Sequence, residues 1–355
     1  MQVAGQIRRA GIGSQVLTLV FGIWLTIGLF MERWEISRPG GGAADELIGG
    51  RGAELLLYSG FAVFVLWMGW LLIQGKLLFG SWKTGLPDGY GAGLAGAGLF
   101  LLGMLGGYLW QLAGGLQADS IEAFYSPASL LQLTGAVLLV TSPFRAAWRG
   151  AGRVPDRSEL WPGLLSLALG TSIAALGLRS HWMLNSAAPS ALELERLGEE
   201  LGPLAAGVRE SLYGTVLEHG IAGILLTTAL LTVPAVWSVN RWKLPFGSLL
   251  LLLAVPVLFM CIAGRSMYMA PVGIVSGLAA DLLYGFLGAS HRNNWKKHVL
   301  FTAVPLLWTG TYFMLVHLQG GLGWPPALWS GAMAASALEG IVLSHLVAMN
   351  KEDTA

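Results

Sequence analysis

The feature that most constrains this chain is its succession of long apolar runs, broken by short polar connections. A run of about 17–25 apolar residues is long enough to cross the hydrocarbon core of a bilayer. Ten such runs are read, at 11–31, 55–73, 92–114, 128–144, 162–184, 216–239, 246–264, 270–288, 299–319 and 327–348. Backbone that faces lipid must close its hydrogen bonds internally, so runs of this length imply helices. The chain therefore reads as an all-α polytopic transmembrane helical bundle of about ten spans, a single integral membrane domain over residues 1–355. The fourth run is short and ends at Pro143. The first follows Arg8 and Arg9, as a signal peptide would. Its apolar stretch is too long for a typical signal core and no A-x-A site directly follows, so it is read as a retained span.

Only 12% of the residues are charged, about half the density that a water-facing surface carries. The lipid bilayer is therefore the main partner. A net charge of +1, with no basic cluster interleaved with aromatics, offers nothing to nucleic acid. Cys261 stands alone, which excludes an internal disulfide and a cysteine-based metal site. It reads as a small core residue. No cofactor is implied.

Basic residues in the connections set the orientation. One side holds Arg8, Arg9, Lys76, Lys83, Arg145, Arg149, Arg153, Arg157, Arg241, Lys243, Arg292, Lys296, Lys297 and Lys351, two thirds of the 21. The other holds Arg33, Arg38, Arg51, Arg179, Arg196, Arg209 and Arg265, and most of the carboxylates. This places both termini in the cytoplasm and the protein in the cell inner (plasma) membrane. Trp34, Trp82, Trp110, Trp148, Trp161, Trp182, Trp242, Trp295, Trp324 and Trp329 fall near the run ends, where indoles settle at the interface. Trp24, Trp67 and Trp308 lie deeper and read as packing residues.

One sizeable non-membrane segment remains, 185–215, on the extracytoplasmic side. Ser190 and Glu193 form a capping box, and Leu197, Leu201, Leu204, Val208 and Leu212 recur at helical spacing. Pro203 should kink or split that helix. Its polar face carries Glu195, Glu199, Glu200 and Glu210. It either covers helix ends or meets a protein partner.

Two groups of residues carry candidate chemistry. Asp281 and Glu339 fall about eleven and twelve residues into spans eight and ten, near the bilayer midplane at about 1.5 Å per residue. Tyr284 and Ser336 lie one turn from them on the same faces. Charge at that depth is costly, so such acids are either protonated or open to a wet cavity. They would serve as a proton or cation relay, or merely bond a neighbouring helix. The second group gathers near the outer face: Arg179, His181, Glu218, His219, Arg265 and His317. Imidazole and carboxylate suit zinc or copper. No local ligand spacing such as H-E-x-x-H is present, so no metal is assigned. P-loop, dinucleotide-binding and G-x-S-x-G motifs are absent, so the reading leans against an enzyme without deciding the point. Pro234, Pro256 and Pro305 stand inside spans, and Gly91–Gly107 offers small residues for close helix contact.

Leu57-Tyr58-Ser59-Gly60, Leu86-Pro87-Asp88-Gly89-Tyr90-Gly91, and the stretch from Ser126-Pro127-Ala128-Ser129-Leu130-Leu131 to Pro143-Phe144-Arg145-Ala146-Ala147-Trp148 together resemble a family of uncharacterised bacterial polytopic membrane proteins. The resemblance covers residues 20–150, with a weaker echo at Gly320–Trp329. Members of that family carry histidines and an aspartate near these motifs. The matching neighbourhoods here read Trp34-Glu35, Glu54-Leu55, Trp110-Gln111 and Ala128-Ser129. The resemblance implies a shared fold with that ligand set lost, and no activity.

Three functions stay open: a transporter or permease using the midplane carboxylates, a non-catalytic membrane subunit or scaffold, and a membrane-embedded enzyme or metal-binding protein resting on the outer histidines. Ten spans could also divide into two inverted sets of five, although no sequence repeat is evident.

Overall fold

The computed structural model describes residues 10–36, 51–80, 82, 85–113, 124–150, 157–186, 188–201, 206–288 and 294–349. Among these, twelve α-helices account for nearly everything, and the β-type pairing is one isolated bridge between Ser190 and Leu322. The helices are α1 (Ile12–Ile36), α2 (Arg51–Phe79), α3 (Gly91–Leu112), α4 (Pro127–Val140), α5 (Ser142–Arg149), α6 (Arg157–Gly177), α7 (Ala191–Leu201), α8 (Ala206–Arg241), α9 (Ser248–Gly264), α10 (Ala270–Leu287), α11 (Asn294–Gly320) and α12 (Pro326–Met349). Eight are long and apolar enough to cross a membrane, α4 and α5 form a bent pair that passes the same test, and α9 is a shorter apolar helix. The protein is thus an all-α polytopic bundle, and each run read from sequence falls on one of these elements. Large apolar side chains face outward, among them Phe286 (89% exposed) and Leu77 (80%), as contact with lipid requires.

The chain forms two compact units, Met1–Gly177 and Leu178–Ala355. In the first, α1 packs on α2, α3 on α4, α4 on α6, and α6 returns to α1, with lesser contacts of α2 on α3 and α1 on α4. In the second, α9 packs on α10, α10 on α11, α11 on α12, and α12 returns to α8, with lesser contacts of α8 on α9 and on α11. Each unit closes a ring in which successive spans are neighbours and the first span also touches the fourth.

Close approach in the first unit depends on glycine. A Cβ on Gly135 would lie 2.5 Å from the Gly96 carbonyl oxygen and from the Phe100 nitrogen, so α3 and α4 meet backbone to backbone. With no water to expel between helices in lipid, such contact is a main source of association.

The fourth span does not stop at Pro143 but breaks at Thr141 and continues as α5, turned by 47°. Proline lacks an N–H and would leave the Leu139 carbonyl four residues back without its donor. Ser142 Oγ donates to that carbonyl at 2.7 Å, and Thr141 Oγ1 donates to Val137 O. Arg145 donates to Leu138 O, to Thr141 Oγ1 at 2.6 Å, and across to Gly89 O at 3.1 Å. The break is closed by side chains, which is why it survives in an apolar setting.

Two boundaries also differ from the sequence reading. The fifth span ends at Gly177, and Arg179–His181 and Met183–Asn185 form short 3-10 turns that begin the second unit. Residues 206–215, read as part of the outer segment, belong to the long helix α8, so Val208, Glu210 and Leu212 extend span six. The amphipathic helix read in that segment is α7, which starts just after Ser190. Pro203 and Leu204 lie outside the described residues. Among the boundary tryptophans, Trp82, Trp110 and Trp295 are exposed, whereas Trp182 and Trp324 (each 2% exposed) and Trp242 are buried inside the protein. Of the deeper three, Trp308 is fully buried, Trp67 donates to Thr18 Oγ1 at 2.9 Å, and Trp24 is 37% exposed.

Candidate functional site

The two span carboxylates occupy different environments. Asp281 is buried on α10, and both of its oxygens accept from backbone N–H groups of the first turn of α9: Leu249 N to Oδ1 at 3.2 Å and Leu250 N to Oδ2 at 2.8 Å. The first four N–H groups of a helix have no partner within it, and the helix dipole puts partial positive charge there. α9 enters from Gly247 at φ 92, and no side chain of its own caps it. Asp281 supplies the cap from the neighbouring helix. Tyr284, one turn further along α10, uses its Oη to accept from Leu244 N at 3.2 Å. Asp281 and Tyr284 thus act together, but on the polypeptide that leads into α9.

Glu339 has no such commitment. It is half-buried on α12, and its Oε2 is buried without a hydrogen-bond partner among the described residues. Ser336, on the same face, turns its hydroxyl back to Met333 O at 2.8 Å. Next to it, Gly340 sits against the Phe301 carbonyl and Pro305 of α11, so the α11–α12 seam is tight beside the acid. α10 and α12 both pack on α11, so Asp281 and Glu339 stand on helices that flank a shared neighbour.

Of the six outer candidates, the structure brings two together. His181, in the first 3-10 turn, and His219, on α8, have ring centroids 5.4 Å apart with planes inclined by 17°. His219 Nδ1 lies 2.9 Å from Thr215 O, and His181 Nδ1 lies 2.8 Å from Ser180 Oγ. Both rings line a cavity of about 170 Å³ with Met183, Ser186, Thr215 and Gly220. Arg179 shares the turn of His181 but does not line that cavity. Glu218, exposed beside His219, does not line it either, nor do Arg265 or His317. Arg265 terminates α9 in a left-handed conformation (φ 56), and the exposed His317 lies in the last turn of α11, where its carbonyl accepts from Gly321 N. Among the described residues no three His, Cys, Asp or Glu side chains converge.

Sequence reasoning missed several inward-facing side chains. Met183 is buried in the cavity wall. Lys297, read as a loop cation, is buried in the first turn of α11 and donates to Asn240 Oδ1 at 2.7 Å. Arg145 likewise turns inward to hold the broken span. A proline inside an apolar run, followed two residues later by arginine, is the one local signal that could have suggested the last.

These features define a multi-pass integral membrane helical bundle whose apolar helices carry a few isolated polar groups. Compared with family models, with curated proteins and with solved structures, the chain matches none.

Proposed function

We propose that this protein is a transporter or permease of the cell inner (plasma) membrane, with both termini cytoplasmic and Glu339 as its coupling carboxylate. One observation carries the reading: a carboxyl stands midway along an apolar span, with an oxygen that is buried and unbonded among the described residues. An acid retained at such a cost marks an ion or proton pathway more often than a packing role. Asp281, engaged by two backbone N–H groups, is not available for exchange. Dicyclohexylcarbodiimide, an apolar reagent for protonated carboxyls within hydrocarbon, tests the assignment in the native membrane. Glu339 should be modified and Asp281 spared, with no adduct at this position in Glu339→Gln. In vesicles holding an entrapped pH dye, a Na+ or K+ pulse should move protons with the native chain and not with Glu339→Gln. An unmodified Glu339 together with no proton movement for either cation would remove the proposal.

The subunit reading keeps one supporting observation. Helix α7 is anchored through Ala191 N to Gly321 O (3.0 Å) and Gly323 N to Pro189 O (2.8 Å), and it leaves Glu193, Glu195, Glu199 and Glu200 exposed. Co-purification of a partner at fixed stoichiometry, lost when these four are changed to Gln, would favour it.

A further inference from the structure

We propose that His181, His219 and Met183 form a binding site for a soft monovalent metal cation, Cu(I), in the cavity beside the N-terminal half of α8. The donor set comes first. Thr215 O can only accept, so the Nδ1 that faces it on His219 carries the proton and Nε2 presents its lone pair. Ser180 Oγ lies 2.8 Å from Nδ1 of His181, and since a hydroxyl can donate or accept, this contact orients the ring without fixing which nitrogen carries the proton. A metal-binding imidazole is oriented by this arrangement, its second nitrogen tied to a carbonyl or hydroxyl. The ring centroids are spaced for a shared ion, and because the planes are inclined by only 17° both lone pairs can meet it only with the rings edge to edge. With metal–nitrogen bonds of about 2.0–2.1 Å, two imidazoles on one tetrahedral or trigonal centre have their centroids roughly 5–5.5 Å apart. The observed separation is 5.4 Å.

The third donor selects the metal. Met183 is buried (1% exposed) and lines the same cavity, its Sδ 3.4 Å from where a Cβ on Gly223 would stand. Gly223 is one helical turn beyond His219, so the sulfur lies against α8 on the face that carries the imidazole. The absence of a side chain at 223 gives it that room. A thioether is a poor ligand for zinc and a good one for Cu(I), and two imidazoles with one thioether satisfy a three-coordinate ion that needs no anionic ligand. His219 is exposed, so an ion has a path in. The site is distinct from Glu339 and stands whether or not that acid couples transport.

Ascorbate-reduced copper, competed with bicinchoninate against the full-length chain in detergent, provides the test. The expected result is one Cu(I) per chain, with a sulfur neighbour in the copper X-ray absorption spectrum. Loss of hydrogen bonds behind a metal ligand already weakens binding roughly 10–100-fold. His181→Asn and His219→Asn should each therefore weaken binding by no less than about tenfold. Met183→Leu should remove the sulfur signal and leave a site that no longer prefers Cu(I) to Zn(II). His317→Asn and Glu339→Gln should keep native copper binding. Undiminished binding in the His181→Asn/His219→Asn double variant overturns the proposal. So does a native spectrum without sulfur, or a normally eluting native chain that takes up no copper.

Discussion

At the scale of single residues, the decisive contrast is between two carboxylates that look alike in sequence. Both sit deep in apolar runs, yet among the described residues backbone donors answer Asp281 and not the buried oxygen of Glu339. Its removal would leave buried N–H groups unpaired, at a cost of about 1–3 kcal/mol. Asp281→Ala should therefore lower the melting temperature of the detergent-solubilised protein, followed by fluorescence of its 15 tryptophans. Asp281→Asn keeps one accepting oxygen and should lose clearly less. Equal losses in the two variants would mean that the carboxylate is not acting as a cap. Arg145 makes a second residue-scale case, because it spans the carbonyls of Leu138 and Gly89 and the hydroxyl of Thr141. Lysine has the charge but not the planar fork of donors. Arg145→Lys should then destabilise nearly as much as Arg145→Met, on the order of 2–3 kcal/mol. A lysine variant that melts like the native chain would show charge, rather than donor geometry, to be what matters.

At the scale of elements, the α3–α4 pairing sets a sharper test than any polar group. Gly135→Val would bring its Cβ to 2.5 Å from backbone atoms of α3 that cannot rotate away. The two helices would have to separate, and the dispersion contacts along the seam would weaken. Gly98, on the same α3, has nothing within 4 Å of its would-be Cβ. Gly98→Ala should be neutral or slightly stabilising, because alanine is the better helix former. Comparable melting of the two variants would contradict the backbone-to-backbone seam. This contrast also marks what the sequence could and could not convey. Apolar length and punctuation locate every span, since hydrophobicity is summed over about 20 residues and tolerates local noise. Which of the glycines in Gly91–Gly107 faces α4 depends on the rotation of two helices, a tertiary quantity that no local pattern encodes. The same reason hid Met183 and misplaced Trp182 and Trp324. An indole near a span end is interfacial only if nothing packs over it, and here the protein does. The pairing of His181 with His219 was equally unreadable, because it depends on a turn after α6 that sequence had drawn as continuous helix.

At the scale of the whole molecule, what matters is whether ten crossings occur, and α9 is the weakest of them. It has 17 residues, about 26 Å of helix at 1.5 Å per residue, a little short of the hydrocarbon thickness. Its two ends are nevertheless both attended. Asp281 caps the first turn, and at the other end Ser266 N returns to Cys261 O while Ser266 Oγ donates to Asn185 Oδ1 at 2.6 Å. Attending both ends lowers the cost of bringing them close to hydrocarbon, so a short helix can still cross. The alternative is a dipping segment that returns to its own side, which would reverse every later span and carry Lys296, Lys297 and Lys351 away from the cytoplasm, against the bias of basic residues. The chain offers a simple measurement, because Cys261 is its one thiol and is buried. In a Cys261→Ser background, Lys243→Cys and Met267→Cys place single exposed thiols on either side of α9. A membrane-impermeant maleimide added to intact cells should label position 267 and leave 243 unmodified until the membrane is opened. Labelling of neither would mean that α9 does not cross and would move the C-terminus out of the cytoplasm, whereas labelling of both would put the connection that carries Arg241 and Lys243 outside, against the bias of basic residues. In the first case Glu339 would stay midway along a span of reversed direction, so the cytoplasmic placement of the C-terminus would fail while the depth of the acid would not.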